Sequence, residues 1–460
     1  MKLAIRTAAV PLLLALTLMT AGCGSSDNTQ QLLYTPNSVV FGPGVVVKNA
    51  DFIATITAQV NDRLSQNPEG AEDWLKFLEY FGDIMLHASY DVELHKVRYP
   101  STGADGSVVM LSGLVILPRQ NDPPQPTVPI MMYQHATEPY SALAPSGFLT
   151  VSADPLNYPE VLFSIAMAMT GYSVALPDYE GMGINTNTQP FVHAKTLAVQ
   201  VVDMLRATRD ALDGAVTLFT PPCSWNGKLF LMGYSEGGFV TLAATRELQQ
   251  NAAAEFTVTA SVPLSGPHDL SGTMRSVILS DKPFKSPYFL PFLLSSYYSV
   301  YHDPLLSPAY TMNPPYNSTL PPLFDGKSTS EAINIAMGMS YDPVNLIVPK
   351  SILTSQFIAD LQNTGSAAYG YLVENDTYRN WAPTVPVRLY HNVNDDLVPF
   401  GNSQVAFAAF SSAGAKPWVS LVPTTDTVNI SNSPVPTIHV AAAIPELHDS
   451  WYWIFTNYGN

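Results

Sequence analysis

"LFLMGYSEGGFV", residues 229–240, leads from a run of apolar residues into a serine that is flanked by glycines. The pattern predicts a buried strand over residues 227–235 and a helix over residues 236–250. A serine at a tight strand-to-helix turn needs small neighbours, and residues 233–237 supply them in the pattern G-x-S-x-G. The turn would raise the Ser235 hydroxyl above the end of the strand, near a helix N-terminus that favours negative charge. Ser235 is therefore a candidate nucleophile, and a glycine-rich turn with a structural serine is the alternative.

Strands and helices alternate on both sides of this turn. The strands are almost continuously apolar, which is typical of a mostly parallel sheet covered by helices on both faces. An antiparallel hairpin is predicted over residues 90–118, and Pro445 is expected to break the last helix or to delay its start. We predict strands over residues 128–136, 172–179, 227–235, 256–267, 385–393 and 416–423, and helices over residues 51–88, 159–170, 193–212, 236–250 and 440–455. The fold class is therefore α/β.

The alternation stops between about residue 270 and residue 380, in a stretch rich in Pro, Ser, Tyr and Phe. This stretch lies between two predicted strands of the sheet, so it must leave the sheet and return to it. We interpret residues 271–380 as an inserted cap or lid. Residues 31–270 then form an N-terminal extension and the first part of the core, and residues 381–460 form its remainder.

Composition limits the classes of function. Of the 460 residues, 47% are hydrophobic and 13% are charged, which is typical of a globular protein, and the net charge is −16. An acidic chain lacks the clustered Lys and Arg that nucleic-acid binding needs, so we expect no nucleic-acid partner. The sequence carries no Cys/His metal spacing, no phosphate-binding loop and no dinucleotide fingerprint, so we expect neither a metal nor a cofactor.

The N-terminus has the pattern of an export signal. A positive start is followed by the apolar residues 8–19 and then by "TAGC", which ends at Cys23. Small residues before a cysteine resemble the bacterial lipobox, in which the cysteine becomes the lipidated first residue of the mature chain. The resemblance implies a signal peptide over residues 1–22, a lipidated tether over residues 23–30, and an exported cell-envelope lipoprotein, preferably at the outer membrane or cell surface. The alternative is an ordinary cleaved signal in which Cys23 is incidental.

Two later segments carry candidate partners for the Ser235 hydroxyl, which needs a base and an acid that orients the base. Asp395 and Asp396 follow a predicted strand in "HNVNDDLVPF". His439 opens the predicted final helix, whereas His448 lies more than two turns further along it.

The G-x-S-x-G turn and the order serine, acid, histidine resemble the alpha/beta-hydrolase superfamily. The resemblance covers residues 90–270 and 381–460, and "PDYEGMG" at residues 177–183 looks like the secretory lipase group of that superfamily. It implies an alpha/beta-hydrolase fold whose central sheet is mostly parallel and flanked by helices.

The same resemblance implies a catalytic triad of Ser235, Asp395 and His439. In that superfamily the acid precedes a segment "xxVP", which favours Asp395 and leaves Asp396 as the alternate. The histidine reaches the sheet edge near the start of the final helix, which favours His439 and leaves His448 as the alternate.

Two backbone N–H groups would have to hold the oxyanion that forms on a substrate. The resemblance implies that one of them belongs to Glu236, the residue after the serine. The other would follow the strand 128–136, where "YQHATEP" resembles the His-Gly motif of lipases and esterases. Ala136 stands where glycine is usual, so this donor is expected to be Ala136 or Thr137.

These residues imply a serine hydrolase that cleaves carboxylic esters through an acyl-enzyme, as lipases and esterases do. The partner would be a small-molecule or lipid ester, with membrane attachment through Cys23. Two alternatives stay open: a serine peptidase of the prolyl-oligopeptidase type, and a non-catalytic binding lipoprotein.

Overall fold

The structure, a computed structural model, describes residues 34–66, 70–150, 155–431 and 433–459. The predicted signal peptide, Cys23 and the predicted tether lie outside these residues. No helix within these ranges is both long enough and apolar enough to cross a membrane.

A ten-stranded sheet forms the centre of the described part of the chain. In chain order the strands of the protein are β1 (Val40–Phe41), β2 (Val45–Val47), β3 (Asp91–Thr102), β4 (Val108–Arg119), β5 (Thr127–Gln134), β6 (Ser173–Pro177), β7 (Ser224–Tyr234), β8 (Ala260–Leu264), β9 (Ser340–Tyr341), β10 (Val344–Asn345), β11 (Val387–Asn392) and β12 (Val419–Thr424). The spatial order in the large sheet is β1-β3-β4-β6-β5-β7-β8-β11-β12, and β2 pairs with β3.

The sheet is antiparallel at one end and parallel over the rest. β3 and β4 form the predicted hairpin, and β4 is antiparallel to β6. From β6 through β12, each neighbouring pair in the large sheet is parallel. Parallel strands need long crossover connections, and the helices between them provide these connections.

The helices are α1 (Asn49–Gln66), α2 (Ala71–Leu86), α3 (Pro159–Met169), α4 (Ala194–Leu212), α5 (Glu236–Asn251), α6 (Arg275–Ile278), α7 (Phe289–Tyr301), α8 (Pro308–Thr311), α9 (Tyr316–Thr319), α10 (Ser330–Ala336), α11 (Ser355–Gln362), α12 (Ala367–Glu374), α13 (Gly401–Ser412) and α14 (Ile438–Tyr458). The helix predicted over residues 51–88 is therefore two helices, α1 and α2.

Both faces of the sheet are buried, as its apolar strands require. Side chains alternate between the faces along β7, since successive residues of a strand point to opposite sides. Leu229 and Leu231 belong to one apolar cluster, which includes residues of α4 and α5. Phe230 and Met232 belong to the other cluster, which includes residues of α1, α2, α3 and α14.

The prediction that Pro445 breaks or delays the last helix is wrong. α14 begins at Ile438 and continues through Pro445. Proline in a helix leaves the carbonyl four residues earlier without its N–H donor. Here that carbonyl, on Ala441, accepts a hydrogen bond from the Val428 N–H at 2.7 Å. A neighbouring loop therefore replaces the missing helical donor, and the helix stays intact.

The stretch between β8 and β11 contributes no strand to the large sheet within the described residues. It folds into α6 to α12 and into the small antiparallel sheet of β9 and β10. Its apolar side chains continue the cluster that covers one face of the sheet, and the Phe292 ring stacks on that of Phe191 with centroids 4.5 Å apart. This stretch is therefore packed directly onto the core.

The parallel strands bring four chain segments to one edge of the sheet, where their carboxyl ends meet. Residues 135–137 follow β5, and Ser235 follows β7. Asp395 lies after β11, and His439 opens α14 after β12. The topology thus positions all the candidate site residues at one edge.

Candidate active site

Ser235 sits in the tight turn between β7 and α5. Its backbone has φ 60° and ψ −121°, a left-handed conformation that is uncommon for a residue with a side chain, and its N–H donates to the Leu264 carbonyl at 2.9 Å. A Cβ at Gly237 would collide with the carbonyl oxygen of Gln134, and one at Gly238 would collide with that of Leu264. The glycines are therefore required because neighbouring strands approach the turn so closely.

The structure brings Ser235, His439 and Asp395 into one chain of hydrogen bonds. His439 Nε2 lies 2.8 Å from Ser235 Oγ, and His439 Nδ1 lies 2.6 Å from Asp395 Oδ2. Asp395 accepts hydrogen bonds only, so Nδ1 carries the imidazole proton and Nε2 is free to accept the proton of the serine hydroxyl.

Asp395 is held by groups that favour its ionised form. Burial by itself would raise the pKa of its carboxyl, but the neighbouring His439 and His391 outweigh burial and lower that pKa. The Leu397 and Val398 N–H groups donate to Asp395 Oδ1 at 2.9 and 2.8 Å. The carboxylate is therefore both ionised and fixed in orientation.

His439 is anchored at its backbone as well as at its ring. The Tyr234 hydroxyl donates to the His439 carbonyl at 2.5 Å, and Thr437 caps the helix that begins beside it. Burial would lower the pKa of this imidazole, but Asp395 more than offsets burial, and the pKa is raised. The ring thus has the basicity that a general base needs.

The alternate residues lie elsewhere. Asp396 forms an ion pair with Lys285 at 2.7 Å and accepts from the His439 N–H at 3.3 Å, so it supports the backbone of the histidine rather than its ring. His448 lies against Asp83 and Asp449, at 2.9 and 3.1 Å. Neither residue makes a hydrogen bond to Ser235.

The predicted oxyanion donors are at the same edge, but they are not equivalent. Glu236 is the first residue of α5, so its N–H has no hydrogen-bond partner within the helix. The Ala136 N–H is already engaged, because it donates to the Glu160 carboxyl at 3.1 and 3.2 Å. Thr137 borders the same cavities as Ser235, and among the described residues its N–H donates to no backbone carbonyl. The geometry therefore favours Thr137 over Ala136.

Three glutamates lie at this edge: Glu236 is fully buried, and Glu138 and Glu160 are half-buried. The sequence pointed to Glu236 only for its backbone N–H, and it did not point to Glu138 or Glu160. Burial raises the pKa of Glu160 to about 7, that of Glu138 to about 7 and that of Glu236 to about 8. Glu160 also accepts from the Tyr133 hydroxyl at 2.7 Å. Its signal was present in the sequence, since it is the one charged residue of α3, whose other side chains are apolar except Ser164.

Two further buried groups support the histidine and the acid. His391 Nε2 lies 3.4 Å from Asp395 Oδ2 and 2.7 Å from the Val398 carbonyl. Glu446 accepts from the Ser265 and Thr424 hydroxyls at 2.9 and 2.7 Å, and burial raises the pKa of its carboxyl to about 6.

Two cavities meet at Ser235. The narrow cavity, of about 70 Å³, is bordered by Thr137, Ser235, Glu236 and apolar side chains that include Leu270 and Leu293. The wide cavity, of about 540 Å³, is bordered by Thr137, Ser235, His439 and a mixture of polar and apolar side chains. A substrate carbonyl at the serine would therefore have room on both sides. Among the described residues, no group of three or more His, Cys, Asp or Glu side chains could hold a metal ion.

A mostly parallel sheet flanked by helices, with a serine at the strand-to-helix turn, defines the alpha/beta-hydrolase fold, and the predicted fold class is confirmed. The rice cell wall degrading esterase LipA from Xanthomonas oryzae has this architecture, with 23% identity, coverage of 93% of this chain and 98% of its own, and a TM-score of 0.68. Lipase A from Candida antarctica in its closed state has 18% identity, coverage of 78% of each chain and a TM-score of 0.56. Identities this low show the shared fold.

Residues 154–281 match the model of the secretory lipase family. This range includes Ser235 but neither Asp395 nor His439. The comparison with curated proteins finds no match for the chain. The family match and the fold together support a carboxylic ester hydrolase.

Proposed function

We propose that the protein is a serine hydrolase that cleaves carboxylic esters through an acyl-enzyme. The observation that carries the proposal is the continuous hydrogen-bonded chain from Ser235 Oγ through His439 to Asp395, at 2.8 and 2.6 Å. The match of residues 154–281 to the secretory lipase family supports the same chemistry.

In the first half of the reaction, Ser235 Oγ attacks the ester carbonyl carbon while His439 Nε2 takes the hydroxyl proton. The carbonyl π electrons move to oxygen, and the Glu236 N–H and the Thr137 N–H hold the resulting oxyanion. When the intermediate collapses, the bond to the alcohol oxygen breaks. His439 gives its proton to that oxygen, and the alcohol leaves.

In the second half, a water molecule takes the place of the alcohol. His439 removes one proton from the water as its oxygen attacks the acyl carbon. Collapse of this second intermediate breaks the bond to Ser235 Oγ, which recovers its proton from His439. Asp395 stays ionised throughout and stabilises the imidazolium that forms in each half.

We also propose that residues 271–380 act as a cap over a core formed by residues 31–270 and 381–460. Side chains of this segment, among them Met274 and Leu293, border the narrow cavity beside Ser235. A cap in this position would select substrates by size and exclude water from the acyl-enzyme.

The lipid anchor is a separate proposal. We infer that Cys23 is the lipidated first residue after signal cleavage and that the protein is tethered to the cell envelope. Expression of the full chain and of Cys23→Ser in a bacterium, followed by detergent phase partitioning, tests this. The anchor requires that the full chain enters the detergent phase and that Cys23→Ser does not. Equal partitioning of the two would contradict it.

The test of the proposed function is hydrolysis of p-nitrophenyl acetate by the protein and by Ser235→Ala. We expect kcat/KM to fall by about 10⁴-fold or more, because the nucleophile and its proton acceptor act as one unit. Ser411→Ala, a change of the same kind in α13, is the matched control and should keep full activity. Equal activity of Ser235→Ala and the control would contradict the proposal.

A further inference from the structure

The space around Ser235 is very unequal on its two sides. The narrow cavity holds about 70 Å³, whereas the wide cavity holds about 540 Å³. Sites that enclose a drug-sized ligand have volumes of about 300–1,000 Å³, so the narrow cavity is far too small for a long chain. The wide cavity is within that range.

The position of His439 decides which side takes which half of an ester. The histidine must reach the oxygen of the departing alcohol to give it a proton. His439 borders the wide cavity and not the narrow one. The alcohol half therefore belongs in the wide cavity, and the acyl half belongs in the narrow cavity.

The walls of the narrow cavity are apolar. Apart from Thr137, Ser235 and Glu236 at its inner end, its described walls are hydrophobic side chains and proline. Met274 and Leu293 of the segment 271–380 border it, together with Leu270. An acyl group that fits here is both short and apolar.

Polar side chains contribute to the wall of the wide cavity, and a third cavity lies beside it. Lys285, Glu331, Asn334 and Tyr341 lie in its wall, together with several serines. The third cavity, of about 330 Å³, shares five wall residues with it, namely Pro159, Glu160, Ser431, Val440 and Ala443. The shared residues place the two cavities side by side, and we infer that one ligand occupies both.

The third cavity is mainly apolar. Trp74, Phe163, Ile430 and Leu447 line it, between α2, α3 and α14. Protein interiors are normally packed without voids of this size, so an apolar space that adjoins a polar cavity suits an apolar ligand segment. The alcohol half of the substrate would therefore be polar near the ester and apolar farther away.

We propose that the substrate is a short-chain acyl ester of a large amphipathic alcohol. The acyl group occupies the narrow cavity, the polar part of the alcohol occupies the wide cavity, and its apolar part occupies the third cavity. This inference rests on the proposed ester hydrolysis at Ser235 and names the class of substrate for it.

The acyl side is tested with p-nitrophenyl esters from acetate to palmitate. We expect kcat/KM to be highest for acetate to butyrate and to fall by about tenfold or more by octanoate, since each excess methylene must be forced into a filled pocket. Leu293→Ala enlarges the narrow cavity and should move the optimum to longer chains. Leu294→Ala, its neighbour in α7 outside the cavity wall, should leave the optimum unchanged.

The alcohol side is tested with two acetates, glycerol monoacetate and the monoacetate of 1-O-dodecylglycerol, the latter used below its aggregation threshold. The inference requires kcat/KM to be at least about tenfold higher for the dodecyl compound, because its chain gains burial in the third cavity. Ala443→Phe and Ile430→Phe reduce that space in two independent ways, and each should lower the ratio toward one. Leu294→Ala should keep the ratio of the unaltered protein.

The outcomes separate this inference from the proposed function. Activity that needs Ser235 but is highest for palmitate, or a ratio near one in the unaltered protein, would overturn the inference and leave ester hydrolysis standing. Absence of Ser235-dependent activity on every ester would overturn both.

Discussion

The carboxyl group of Glu236 is buried immediately beside the candidate nucleophile. Its Oε1 accepts from the Val192 N–H at 3.4 Å, and the Thr137 side chain is a second polar neighbour that favours the ionised form. The neighbouring Glu160 adds a like charge, and burial raises the pKa of Glu236 to about 8. An ionised carboxylate is costly in such surroundings, so Glu236 is neutral at about pH 7.

Glu236 should therefore set the alkaline limit of activity. Above about pH 8 its carboxyl ionises, and a negative charge next to the forming oxyanion opposes the transition state. We expect kcat/KM for p-nitrophenyl acetate to fall on the alkaline side in the unaltered protein. Glu236→Gln, which is neutral at every pH, should extend the plateau to higher pH.

Glu138→Gln provides the control for this profile, because the pKa of Glu138 is also raised but the residue does not border either cavity at Ser235. It should leave the alkaline limb in place. If kcat/KM of Glu236→Gln falls at the same alkaline pH as that of the unaltered protein, ionisation of Glu236 is not the cause of the fall.

At the scale of elements, the turn between β7 and α5 depends on glycine for steric reasons. Gly237→Ala should lower the free energy of unfolding by about 1–3 kcal/mol, because the added Cβ meets the Gln134 carbonyl oxygen, which is backbone and cannot easily move. Urea unfolding measures this change. Gly370→Ala, in α12, places its Cβ in open space and should instead raise stability by about 0.5–1 kcal/mol. Equal effects of the two substitutions would contradict the steric account of the turn.

The element order could be predicted from the sequence because apolar strands and amphipathic helices carry strong periodic signals. The hairpin of β3 and β4 and the parallel strands around Ser235 followed from such patterns. The continuation of α14 through Pro445 could not be predicted in this way. The N–H donor that replaces the missing one comes from Val428, in a loop that precedes the helix and has no periodic pattern.

The candidate site was predictable only in part. Ser235, Asp395 and His439 each follow a predicted strand or open a predicted helix, so the topology indicated that they would meet. The preference for Thr137 over Ala136 depends on a hydrogen bond to Glu160, 24 residues away in the chain. The unequal cavities depend on how the segment 271–380 packs, and no periodicity encodes that.

At the scale of the whole molecule, two buried and two half-buried glutamates link stability to pH. Burial raises the pKa to about 6 for Glu446, about 7 for Glu138 and Glu160, and about 8 for Glu236. Between about pH 5 and pH 8 these groups hold more protons in the folded state than in the unfolded state, where their pKa is about 4.3. The stability that these four groups contribute should therefore be lost as pH rises through this range.

Urea unfolding at several pH values from about 5 to 9 tests this linkage. Relative to Glu160→Gln, the unaltered protein should lose free energy of unfolding as pH rises, because only the unaltered protein carries the proton linked to Glu160. Asp395 makes the opposite contribution to the pH dependence of stability. Because its pKa is lowered in the folded protein, the stability it contributes is lost only as pH falls into the acid range. A stability difference between the two proteins that stays constant from pH 5 to pH 8 would contradict the assignment of a neutral Glu160.

The central claim is that Ser235 is a nucleophile activated by His439, and a fluorophosphonate probe tests it most directly. The folded protein should bind one equivalent of probe, and mass spectrometry of its peptides should locate the adduct on Ser235. His439→Ala should fold and react far more slowly, because the serine then has no base. A folded protein that takes up no probe, or takes it up at another residue, would contradict the account.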